Sequence, residues 1–131
     1  MAQVRITEAA RFLGVSDDTI RRWIDQGLLT RASGRGPATV DTLDLARLAR
    51  DHAVLPTDPA DVGRSARNRF VGIVTRVVAD TVMAQVEVQC GPYRVVSLIS
   101  AEAVRDLGLE PGVVATAVVK ATNVIIERDR G

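Results

Sequence analysis

Three short stretches of this chain collect the kinds of donor that a tetrahedral oxyanion requires. RSARNRF, residues 64–70, holds three arginines and no acid, and within it Ser65, Arg67 and Asn68 offer a hydroxyl, a guanidinium fork and an amide. Ser100, Ala101, Glu102 and Ala103 open a predicted helix, where a hydroxyl accompanies backbone N–H groups that no preceding turn engages. KATN, residues 120–123, sets Lys120 at a strand end beside Thr122 and Asn123. Arg supplies a planar fork, Lys a compact charge, and hydroxyls give direction. Arg64 and Arg69 read as solvated or interface charges.

A second group of cations lies near the N-terminus. Between residues 19 and 35 stand Arg21, Arg22, Arg31 and Arg35 against Asp25 alone. Ile20, Trp23 and Ile24 recur at helical spacing and take the inward face, which leaves Thr19, Arg21, Arg22 and Gln26 outside it. Arginine reads guanine edges and clamps phosphates, so this helix is a candidate reader of DNA.

Composition narrows the alternatives. A formal charge of +1 over 131 residues excludes a generally basic coat for nucleic acid, so DNA contacts must come from a local patch. Sixteen of the seventeen basic residues are arginine, which makes Lys120 the exception. A single cysteine excludes an internal disulfide or a cysteine zinc site, and Cys90 is expected as a small buried apolar group. His52 reads as a surface or helix-end residue. With one His and one Cys there is no nucleophile–base pair, no bare-cation site and no organic cofactor to assign, so an enzyme is not expected. Arg5, Glu8 and Arg11 break any signal-peptide core, and no apolar run approaches the ~20 residues that span a bilayer. A cytoplasmic protein without a membrane partner is expected.

The elements that must position these residues change character near residue 53. Before it, Thr7 is placed to cap a helix ending at Gly14, with Ile6, Ala10 and Leu13 inward. Ser16 caps a second helix, with Asp17 and Asp18 at the positive end of its dipole and Gly27 closing it. Residues 28–40 have β-capable ends around SGRGP, and TLDLARLARDH forms a helix with Leu43, Ala46 and Leu48 inward. AVLPTDPADVG, with two prolines, is a linker. Beyond it the pattern predicts strands over 69–79, 82–90, 93–99, 113–119 and 123–127, and a short helix capped by Ser100. The expected class is α+β: a small N-terminal winged helix-turn-helix at residues 1–52, a linker at 53–63, and at 64–131 a five-stranded OB-like β-barrel with one short helix.

ITEAARFLGVSDDTIRRWIDQGLLT resembles the winged helix-turn-helix of MerR and excisionase-type proteins. The resemblance implies a recognition helix bearing Ser16, Thr19, Arg21 and Arg22, and a wing bearing Arg31 and Arg35. The wing departs from the pattern, since PATVD follows Gly36 without further basic or aromatic residues. SARNRFVGIVTRV, VVSLISAEAVRDLGLEPG and VVATAVVKATNVII, in that order, resemble the molbindin (Mop) domain, a relative of the TOBE fold. That resemblance implies molybdate or tungstate held by Ser65, Arg67, Ser100 and Lys120, with the backbones of Ala101, Ala103 and Ala121 and with Thr122. Where Ala103 stands members often have serine, so a hydroxyl is lost while its N–H remains. The resemblance also implies sites shared between subunits, hence a homo-oligomer of at least two chains, with larger rings open.

Together these readings describe a molybdate- or tungstate-responsive regulator that binds operator DNA, similar in logic to the ModE regulators. The alternatives are a molbindin-type storage protein with an accessory DNA-binding domain and a sensor of another tetrahedral oxyanion.

Overall fold

The structure is a computed structural model that describes residues 2–32, 34–59 and 66–130. It divides into two compact units, Met1–Leu55 and Pro56–Gly131.

In the first unit, helix α1 (Ile6–Leu13) ends where Gly14 takes a left-handed conformation, φ 65°, and donates to the Ala10 and Arg11 carbonyls. Only a residue without a Cβ adopts that conformation freely, so Gly14 sets the sharp turn into helix α2 (Asp17–Asp25). Ser16 Oγ accepts the Thr19 N–H at 3.2 Å and caps α2, as its position implied. Thr7 does not cap α1: Arg5 holds the cap position without a side-chain bond, and Thr7 Oγ1 donates to Asp17 at 3.4 Å. The helix begins two residues early, with Ile6 buried in the core.

Strand β1 (Gln3–Arg5) pairs antiparallel with strand β2 (Thr39–Asp41). Helix α3 (Thr42–His52) is capped by Asp41, whose carboxylate accepts from Leu43 and Asp44 at 2.7 and 3.2 Å. The helix spans the expected residues but turns a different face inward. Leu45 and Leu48 are buried, whereas Leu43 and Ala46 are exposed. Ile20, Leu29, Val40 and α1 complete the core, with Trp23 and Ile24 packed against it half-buried.

The second unit is one antiparallel sheet in the order β5-β4-β3-β6. Its strands are β3 (Asn68–Ala79), β4 (Met83–Cys90), β5 (Tyr93–Ser100) and β6 (Val114–Val119). A bulge between Val74 and Arg76 interrupts the β3–β4 register. Such an insertion bends a strand and raises its twist, which curls the sheet toward a barrel. Helix α4 (Ala101–Leu107) follows β5 directly. The core is Val74, Val86, Val88 and Cys90. The Cys90 thiol reaches the Phe70 carbonyl at 3.5 Å, and burial pushes its pKa up, which suits an inert packing group.

The sequence predicts a fifth strand over 123–127, and this chain does not form it. Ala121–Asn123 is instead a tight 3₁₀ turn, and Val124 onward pairs with no strand among the described residues. Ile125 and Ile126 are 84% and 85% exposed. An apolar run becomes a strand only when it pairs with a neighbour, and here Val124–Ile126 joins neither edge strand, β5 or β6. The sheet accordingly stays open, with an apolar trough of about 490 Å³ lined by Val88, Val95, Ile99, Leu109, Ala115 and Ala117.

Candidate anion-binding and nucleic-acid-binding sites

Strand β3 brings together two of the three stretches expected to bind the anion. Its ladder with β6 sets Asn68 opposite Val119 and Arg69 opposite Val118. Continued one residue past the ladder, the same register sets Arg67 against Lys120. Opposed residues of an antiparallel pair share a face, and the face repeats every second residue. Arg67, Arg69 and Lys120 therefore rise from one side of the same strand pair. The Asn68 side chain ties the two stretches by donating to the Val119 carbonyl at 3.2 Å. Neither Arg67 nor Lys120 has an ion-pair partner among the described residues. Ala121 and Thr122 follow in the 3₁₀ turn and are exposed. Ser65 lies outside the described residues, as does Arg64.

Arg69 is not the solvated charge that the sequence implies. Its Nε and Nη2 donate to both oxygens of Asp58 at 2.6 and 3.1 Å, and this pairing raises its pKa. Nothing local announces a partner eleven residues away in the linker.

The third stretch lies elsewhere. Ser100 pairs with Met83, and the Ala101 N–H donates to Val82 at 2.8 Å, so the start of α4 adjoins the β3–β4 turn. Arg67 precedes the opposite end of β3, which over its twelve residues runs roughly 35 Å at ~3.3 Å per residue. One chain does not bring Ser100 to Arg67 and Lys120. Two of the expected backbone donors are also engaged, because the Ala103 N–H donates to Ser100 Oγ at 3.0 Å while the Ala101 N–H is held by Val82. The Ser100 hydroxyl accepts in that cap and keeps its own proton to give.

On α2, Arg21 and Arg22 are exposed while Ile20 is buried. Arg21 pairs loosely with Asp18 at 3.6 Å, a contact between highly exposed groups that DNA phosphate would readily displace. Thr19 and Ser16 are occupied with each other, their hydroxyls 3.0 Å apart. Arg31 bridges to Val40 beside β2, and Arg35 is exposed in the loop before it.

Comparison with known proteins matches these two halves separately. The MerR family regulatory protein pattern covers residues 5–36, and the TOBE domain covers residues 64–126. Over 63 residues the chain is 41% identical to molybdenum-pterin-binding protein 3 of Clostridium pasteurianum, spanning 47% of this chain and 93% of that protein. The chain belongs to the TOBE-domain family. Molybdenum-pterin-binding protein 2 of the same organism is 40% identical over an equal span. A solved molybdate-binding protein from Sporomusa ovata superposes on 51% of this chain and the whole of its own, with a TM-score of 0.50 and 34% identity. The TOBE half thus accounts for the curled sheet and α4, and a MerR-type helix-turn-helix precedes it in the same chain.

Proposed function

We propose that this protein is a cytoplasmic, molybdate- or tungstate-responsive DNA-binding regulator that works as an oligomer. The observation that carries this reading is the split of the donor set. Arg67 precedes and Lys120 follows the final β3–β6 pair, Asn68–Val119, while Ser100 pairs with Met83 near the far end of β3, so on this reading a complete site draws on a second chain. The names of the TOBE relatives, which speak of molybdenum-pterin and molybdate binding, support the choice of oxyanion.

The open sheet supports the oligomer independently. The trough between edge strands β5 and β6 is apolar, and Val124, Ile125 and Ile126 are an apolar segment with no strand partner in their own chain. A partner's segment in the trough would bury both surfaces and supply the missing fifth strand. Two MerR-type domains would then be held as a pair, as half-sites on DNA require. A binding rather than a catalytic role is supported by the matched patterns, a regulatory protein family and a domain whose relatives are named for molybdenum-pterin or molybdate binding. No described helix is long and apolar enough to cross a membrane.

Thermal unfolding of the intact protein with molybdate, tungstate, sulfate and phosphate tests the reading. Molybdate or tungstate at ~100 times its dissociation constant stabilises the fold by about 2.7 kcal/mol. No shift at millimolar molybdate or tungstate would sink the oxyanion assignment. A shift with sulfate or phosphate alone would move it to another tetrahedral anion.

A further inference from the structure

Arg69 shares its strand face with the two cations assigned to the anion, yet it is held by a carboxylate from the same chain. Asp58 grips it with two hydrogen bonds, at 2.6 and 3.1 Å, and the paired side chains retain only 18% and 29% of their exposure. A carboxylate presents two oxygens to a guanidinium much as one edge of a tetrahedral oxyanion does. Asp58 lies between Pro56 and Pro59, whose rings fix the backbone around it, and this segment leads from the MerR-type unit into the TOBE unit.

Resting on the function proposed above, we propose that Asp58 is a tethered competitor of the oxyanion. With no anion bound, its carboxylate occupies Arg69. A dianion arriving at Arg67 and Lys120 repels Asp58 and takes Arg69 from it, so that three cations serve the anion. Arg69 is thereby a third anion-binding cation, and Asp58 sets the anion concentration at which the protein responds. The exchange is one of ion pairs only; no covalent bond forms or breaks.

Calorimetric titration of the full chain with sodium molybdate, in a double-mutant cycle of Asp58→Asn and Arg69→Gln, separates this role from a structural one. Asp58→Asn is expected to bind molybdate about fivefold more tightly than wild type, and Arg69→Gln about fivefold more weakly, the scale of one partly exposed ion pair. In the Arg69→Gln background, Asp58→Asn is expected to lose most of its effect. Equal or weaker binding by Asp58→Asn, in a protein whose wild type binds molybdate, overturns the competitor role and leaves the oxyanion reading standing. Undiminished tightening in the Arg69→Gln background overturns competition through Arg69. Failure of the wild type to bind molybdate removes the reading on which the proposal rests.

Discussion

Gly72 lies against the β4 backbone so closely that a Cβ on it would run into the Gln89 carbonyl oxygen and come within 2.7 Å of Cys90 Sγ. Two strands meet here with no room for a side chain, and the nearest atom is main chain, which yields less readily than a flexible side chain. Gly72→Ala is expected to lower stability by about 1–3 kcal/mol, several degrees or more in melting temperature for a unit of this size. Differential scanning calorimetry checks this, and a melting temperature within a degree of wild type would show that the strands part at no cost.

On the proposed function, helix α2 carries a charge effect on DNA binding. Replacing exposed Arg22 by Ala removes a cation from the face of α2 opposite Ile20. Binding to duplex DNA should weaken, and the slope of log K against log salt should fall by about 0.9 for one lost phosphate contact. Molybdate binding should be unaltered. An unchanged slope would place α2 away from the phosphates.

Those two residues mark the range of what the sequence discloses. Two caps were legible because the signal is local: Ser16 and Ser100 stand one residue ahead of their helices and accept from the third residue on. Thr7, by contrast, proved not to cap α1, and the Asp41 cap of α3 was not foreseen. The strand runs were legible from β-branched alternation, to within a residue or two at each end. Leu45 was missed in favour of Leu43, although the helix has the expected bounds, because both leucines stand at helical spacing from other apolar residues and only packing against the rest of the unit selects the face. The fifth strand was predicted from its own apolar pattern, but a strand also needs an edge, and a sequence does not show which chain supplies one. The opposition of Arg67 and Lys120 is a matter of register between segments more than fifty residues apart, and the Asp58–Arg69 pair follows from no motif.

Acid should unfold the TOBE unit through two carboxylates. Backbone donors at Met83 and Val82 hold Asp80 below its ordinary value of 3.8, and Arg94 holds Glu87 below 4.5. A carboxylate depressed in the folded state contributes stability above its unfolded pKa and loses it as pH falls through the folded one. Stability should therefore decline below the ordinary values of 4.5 and 3.8. Urea titrations of wild type and Glu87→Gln should differ near neutrality and converge in strong acid. A constant difference at every pH would assign the effect to packing.

The exposed tail predicts the state of assembly. Ile125→Glu with Ile126→Glu places charge where the proposed interface requires apolar side chains. Analytical ultracentrifugation should find wild type as a dimer or larger and the double variant as a monomer. An unaltered assembly would locate the interface elsewhere.

The separation of Ser100 from Arg67 and Lys120 along β3 has a genetic consequence. On the shared-site reading, a chain lacking Lys120 and a chain lacking the Ser100 hydroxyl are each defective when alone. Mixed as a dimer they redistribute their faults: one site collects both lesions, while the other draws Lys120 from one chain and Ser100 from its partner. Two inactive alleles would complement each other, restoring half of the anion sites at full affinity.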